Sequence, residues 1–94
     1  MKGELIYRLK DVSPNGDIIE IVIWKVPKPV EPSVHDFKYS LVFIVDGHRV
    51  VGFDNERGKG DHCHLEGKEF DYHFTDTEQL IEDFIVEVEK RRKL

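Results

Sequence analysis

The chain has 94 residues, 39% of them hydrophobic and 11% aromatic, with a formal net charge of −5, which predicts one globular domain over residues 1–94 around one modest core. No stretch is long and apolar enough to span a membrane and Met1-Lys2-Gly3-Glu4 does not open a signal peptide, so a cytoplasmic location is expected. The lone Cys63 excludes an internal disulfide, and residues 51–94, with seven Lys/Arg against twelve Asp/Glu, argue against a broad nucleic-acid surface.

From the N-terminus, Glu4 to Lys10 alternates with Leu5, Tyr7 and Leu9 on one face, Ser13-Pro14-Asn15-Gly16 turns the chain, and Asp17 to Val26 is strongly β-branched. These features predict a first hairpin. Pro27, Pro29 and Pro32 interrupt the ladder and give a connection through Val34. A second hairpin follows, Lys38 to Val45 and His48 to Phe53 joined by the favoured turn pair Asp46-Gly47. Trp24 and Tyr39 sit in alternating strands, where packing is their default role, while His35 and His48 at a loop and a turn receive none.

Hydrophobicity then stops at Asp54-Asn55-Glu56-Arg57-Gly58-Lys59-Gly60-Asp61-His62-Cys63-His64. Such a segment is expected to be an exposed loop, because burying it would strand polar groups. A short strand over Glu69 to Phe74 precedes the last element, and His73 is placed to fold back toward the Gly-Lys-Gly loop. Thr75 followed by Glu78 reads as a capping box, with Leu80, Ile81, Phe84, Ile85 and Val88 forming the apolar stripe of a helix over Thr75 to Arg91. The expected architecture is α+β: an antiparallel sheet of four or five strands built from two hairpins, with one C-terminal helix packed on one face. Lys90-Arg91-Arg92-Lys93 complements the negative pole of that helix. The strand edge at Glu4 to Lys10 would permit a homodimer.

The 54–64 segment carries the chemistry. If Asp61 to Leu65 is extended, alternation puts His62 and His64 on one face and Asp61 and Cys63 on the other, which would pair a proton acceptor with a proton donor. Glycines on either side of Lys59 allow positive φ and close approach of a ligand. Lys59 with the Gly58 and Gly60 amides then forms an anion cradle beside Asp54 and Asn55, although the Ser or Thr of a phosphate loop is missing. The same composition also suits an ordinary solvated turn.

These motifs resemble the TumE family of toxins from prokaryotic toxin–antitoxin pairs. Phe53-Asp54-Asn55-Glu56, then Gly58-Lys59-Gly60-Asp61-His62-Cys63-His64, then Phe74-Thr75-Asp76 at the helix start carry the likeness. Ile21-Val22-Ile23-Trp24-Lys25-Val26-Pro27 and Lys38-Tyr39-Ser40-Leu41 extend it over roughly Tyr7 to Val88. The resemblance implies a helix-turn-helix antitoxin encoded nearby as partner.

Three readings stay open. In a metal-independent endoribonuclease, His62 and His64 act as base and acid, Asp61 or Glu56 orients an imidazole, Lys59 stabilises the phosphorane and no cofactor is needed. In a metal-dependent hydrolase or nuclease, His62 and His64 with Asp61, or with Asp54 or Glu56, hold Zn or Mn. In a non-enzymatic binding module, the charged segment engages a protein partner.

Overall fold

A computed structural model describes residues 3–92; Met1, Lys2 and, from the basic C-terminal run, Lys93 lie outside the described residues. Six strands and one helix follow one another: β1 (Glu4–Val12), β2 (Ile18–Lys25), β3 (Phe37–Val45), β4 (His48–Glu56), β5 (Gly60–Leu65), β6 (Lys68–Asp71) and α1 (Thr77–Arg91). The strands form one sheet in sequence order, each antiparallel to the next. The α+β class and the helix on one sheet face agree with expectation, but the sheet has six strands rather than four or five.

The extra strand is β5, made from half of the segment expected to be a loop. Arg57-Gly58-Lys59 is the turn of a third hairpin, with positive φ at Gly58 (90°) and Gly60 (77°). Its polar residues avoid stranding by pairing with each other across the ladder. A fourth hairpin turns at Glu66 and Gly67, both with positive φ, as do Asp46 and Gly47 in the second.

The core lies between one sheet face and the helix. Ile19, Ile21 and Ile23 of β2, Tyr39, Leu41 and Phe43 of β3, and Val51 and Phe53 of β4 meet Leu80, Phe84 and Val88, the i, i+4, i+8 stripe of α1. Phe84 is fully buried, with its ring edge-on to Phe53 at 6.1 Å. The helix begins one residue later than its capping box suggests. Asp76, not Thr75, is the N-cap and accepts from the Gln79 amide, a carboxylate being the better partner for the helix's positive pole. At the other end Lys90, Arg91 and Arg92 pair with Glu87, Glu66 and Glu89.

Among the described residues, no helix lies on the opposite sheet face. Trp24 pairs with Lys38, Ser40 with Asp54, and Asp54 with His62, so one uncovered surface runs from Trp24 to the histidines. A bulge between Leu5 and Tyr7 corrects the alternation expected for β1. Leu5 pairs with Trp24, while Tyr7 and Leu9 pair with Ile23 and Ile21, so Leu5 does not share their face. All of β1 is exposed, including Leu5, Ile6, Tyr7, Leu9 and Val12.

Candidate functional site

On the uncovered face, the third hairpin sets Asp54 opposite His62 and Gly52 opposite His64. The two imidazoles are one residue apart on β5 and therefore adjacent, with ring centroids 5.0 Å apart and planes at 81°. Nδ1 of His62 lies 2.9 Å from the Gly60 carbonyl oxygen. A carbonyl only accepts, so Nδ1 carries a proton, and in the neutral ring Nε2 is the lone pair. Gly60 is required here for two reasons: its φ is positive, and a Cβ at this position would meet the Pro32 side chain at 3.1 Å.

The Nε2 atom of His62 faces the Asp54 carboxylate, with Oδ1 at 2.6 Å. Neither atom has a hydrogen-bond partner, and both are buried. The contact is therefore close but not directed as an N–H···O bond. Held out of water as two acceptors, the pair would need a positive centre to share, a proton or a cation, because each atom otherwise keeps its desolvation penalty. His64 completes the group: one ligand atom each from Asp54, His62 and His64 lie within 4.8 Å of one another. Zinc forms bonds of about 2.0–2.2 Å to nitrogen and oxygen, so small side-chain rotations would bring this triad onto one ion. An Nδ1 contact to a backbone carbonyl, as His62 makes to Gly60, is the kind of outer partner that orients imidazoles in metal sites.

Charged groups rim the triad. Glu69 Oε2 and Glu56 Oε1 lie 3.8 and 3.9 Å from His62 Nε2, and Lys59 Nζ is 3.4 Å from Glu69 Oε2. Desolvation acts to raise the Glu69 pKa, but the hydrogen bond and charge of the Lys59 ammonium outweigh it and hold the carboxyl below its usual range. His64 is pushed down by burial and then by the Arg49 guanidinium, which keeps it neutral and able to donate a lone pair. Arg49 comes near because Gly52 leaves room: a Cβ there would meet its side chain at 3.0 Å.

Of the residues singled out from sequence, Asp54, Glu56, Lys59, His62 and His64 come together. Asp61 does not. Alternation turns it to the core face, where Oδ1 lies 2.8 Å from His35 Nε2 and accepts from the Tyr39 hydroxyl at 2.8 Å. It therefore lies on the opposite face from His62 and His64, and Asp54 is the carboxylate beside them. Asn55 is fully buried and consumed by structure: it accepts from the Tyr39 amide and donates to the Phe37 carbonyl and Ser33 Oγ. The Gly58 amide is not free for the expected anion cradle, because it donates to Glu31 O. His73 is exposed in the connection before α1.

Sequence reasoning missed His35, whose ring stacks on Phe74 at 3.8 Å and ties the proline-rich connection to β5 through Asp61. The alternation of His35, Phe37 and Tyr39 would have placed it on the core face. It missed Glu69 and Arg49 as well, since both reach the site only through strand pairing.

A family model described as Toxin TumE matches residues 2–92. No curated protein and no solved structure matches the chain. Among the described residues, no helix is long and apolar enough to cross a membrane.

Proposed function

Because the chain belongs to the toxin TumE family, we propose that it inhibits growth by hydrolysing RNA phosphodiesters at a divalent-metal centre built from Asp54, His62 and His64. The observation that carries this reading is the face-to-face pair of buried, unpartnered acceptors, His62 Nε2 and Asp54 Oδ1, with the His62 tautomer locked from behind by Gly60. A divalent ion supplies the Lewis acidity that makes water nucleophilic near neutral pH. Two nitrogens and one carboxylate oxygen suit Zn, with Mn the alternative. Glu56, at the rim, is placed to accept a proton from the attacking water. Lys59, once released from Glu69, offers its ammonium to the developing phosphorane charge.

Burial weighs against the metal-independent mechanism. With 2% of its surface exposed, Nδ1 engaged and Nε2 turned to Asp54, His62 has no face open to a 2′-hydroxyl. A toxin family implies an antitoxin partner, and we assign that role to a helix-turn-helix protein encoded nearby. The open β1 edge suits a homodimer or that partner.

The test is metal content of the purified protein together with growth arrest on expression without a partner. The expected result is stoichiometric Zn or Mn, and arrest abolished in a folded His62→Ala/His64→Ala variant. A double variant as toxic as the parent would exclude the centre; a metal-free parent that cleaves RNA in chelator would return the chemistry to the imidazoles alone.

A further inference from the structure

The uncovered face has a second feature apart from the histidine centre. A cavity of about 370 Å³ at the far end is lined by Gly3, Trp24, Val26, Val30, Lys38 and Arg57. Val26 and Val30 are buried and form an apolar floor, whereas Trp24 is 38% exposed. A tryptophan left open beside two cations is not explained by packing, since the core lies on the other face. Lys38 donates to the Asn55 carbonyl at 3.0 Å, which fixes its ammonium at the rim and leaves its other protons available. Among the described residues, neither Lys38 nor Arg57 has a carboxylate within ion-pair distance, so both keep their charge for a ligand, as the paired Lys25 and Lys59 do not.

We infer that this cavity binds single-stranded RNA, with one base against Trp24 and its flanking phosphates on Lys38 and Arg57. An indole plate with adjacent cations is the combination that holds single strands, the ring taking a base face and the cations the backbone. Size agrees, because small-ligand pockets begin near about 300 Å³. Position agrees too. Trp24 lies three strands and two residues from His62 in the ladder. Spacings of about 4.8 Å between strands and 3.4 Å per residue put the cavity about 16 Å from the metal triad on the same face. One strand of RNA can span both, within the roughly 4–16 nucleotides that one such module covers. The acidic balance of the chain is no obstacle, since Lys38 and Arg57 are held at the cavity with, among the described residues, no ion pair to either. The identity of the ligand rests on the proposed RNA hydrolysis.

Trp24 is the only tryptophan, so tryptophan emission, excited beyond tyrosine absorption, reports on this residue alone. Titration with a hexa-adenylate ribonucleotide, in chelator to prevent cleavage, should quench the emission saturably, while an abasic ribose-phosphate hexamer should not. With a fluorescein-labelled hexamer read by anisotropy, Trp24→Ala should weaken binding by about 5- to 100-fold. Lys38→Ala/Arg57→Ala should weaken it and flatten the log–log salt dependence by about 0.7 per cation removed. Unchanged emission at saturating hexamer, or equal quenching by the abasic oligomer, overturns the proposal. Saturable quenching in a His62→Ala/His64→Ala variant, or in a parent that cleaves nothing, would support the cavity while the hydrolytic reading failed. Cleavage whose KM is untouched by Trp24→Ala, with no quenching, would leave hydrolysis standing and refute the cavity.

Discussion

Replacing Asp54 with Asn separates a cation from a proton at the centre of the site. His62 Nε2 and Asp54 Oδ1, 2.6 Å apart and unpartnered, are both acceptors if His62 is neutral. An Asn amide in place of the carboxylate turns one of them into a donor. An unsatisfied buried polar atom costs about 1–3 kcal/mol, and Asp54 is partly exposed, so relief of the pair should stabilise the metal-free domain by about 1–2 kcal/mol. In a domain of this size each kcal/mol moves Tm by about 4–8 °C. If Nε2 instead carries a proton and the pair is a buried salt bridge, Asp54→Asn removes the counter-charge and should destabilise by about 3–5 kcal/mol. Urea unfolding of both proteins in chelator at pH 7.5 reads the sign directly, and titration with zinc should show at least tenfold weaker binding by the variant. A loss of 3 kcal/mol with unchanged metal uptake would refute the metal-centre reasoning.

Phe84→Ala should lower stability by about 3–5 kcal/mol, because its fully buried ring leaves a cavity against Phe53; a change under 1 kcal/mol in the urea midpoint would contradict the helix placement. Asn55→Ala should cost about 2–4 kcal/mol by orphaning the Tyr39 amide and the Phe37 carbonyl, and hydrogen exchange at Tyr39 should accelerate. Burial, and then hydrogen bonds to Asp61 and Asp83, push the Tyr39 and Tyr72 phenols above the usual tyrosine value of 10.0. The unfolded chain therefore loses these protons first, so their contribution is intact below pH 10 and falls as pH rises beyond it. Tyr39→Phe should flatten that alkaline decline, as followed by circular dichroism. Cys63, raised by burial and then by Glu87, should react with disulfide reagents at pH 8 far more slowly in the native state than in urea.

The alternating β-branched runs, the Asp46-Gly47 turn and the Leu80/Phe84/Val88 stripe are local signals, and local periodicity is enough to set element type and the buried face of the helix. The pairing of His62 with His64 was legible for the same reason, since two residues in an extended strand share a face whatever the strand pairs with. The contact of Asp54 with His62 was not. It depends on Arg57-Gly58-Lys59 closing a hairpin, and a turn whose flanks are polar on both sides gives no hydrophobic alternation to reveal it. Once that hairpin forms, register alone sorts the residues. Asp54 is brought to His62 and His64, while Asp61 and Asn55 are turned into the core face to brace Tyr39 and His35. Composition concentrated the reactive groups in eleven residues, but strand pairing, which joins residues distant along the chain and separates neighbours onto opposite faces, decided which of them can act together.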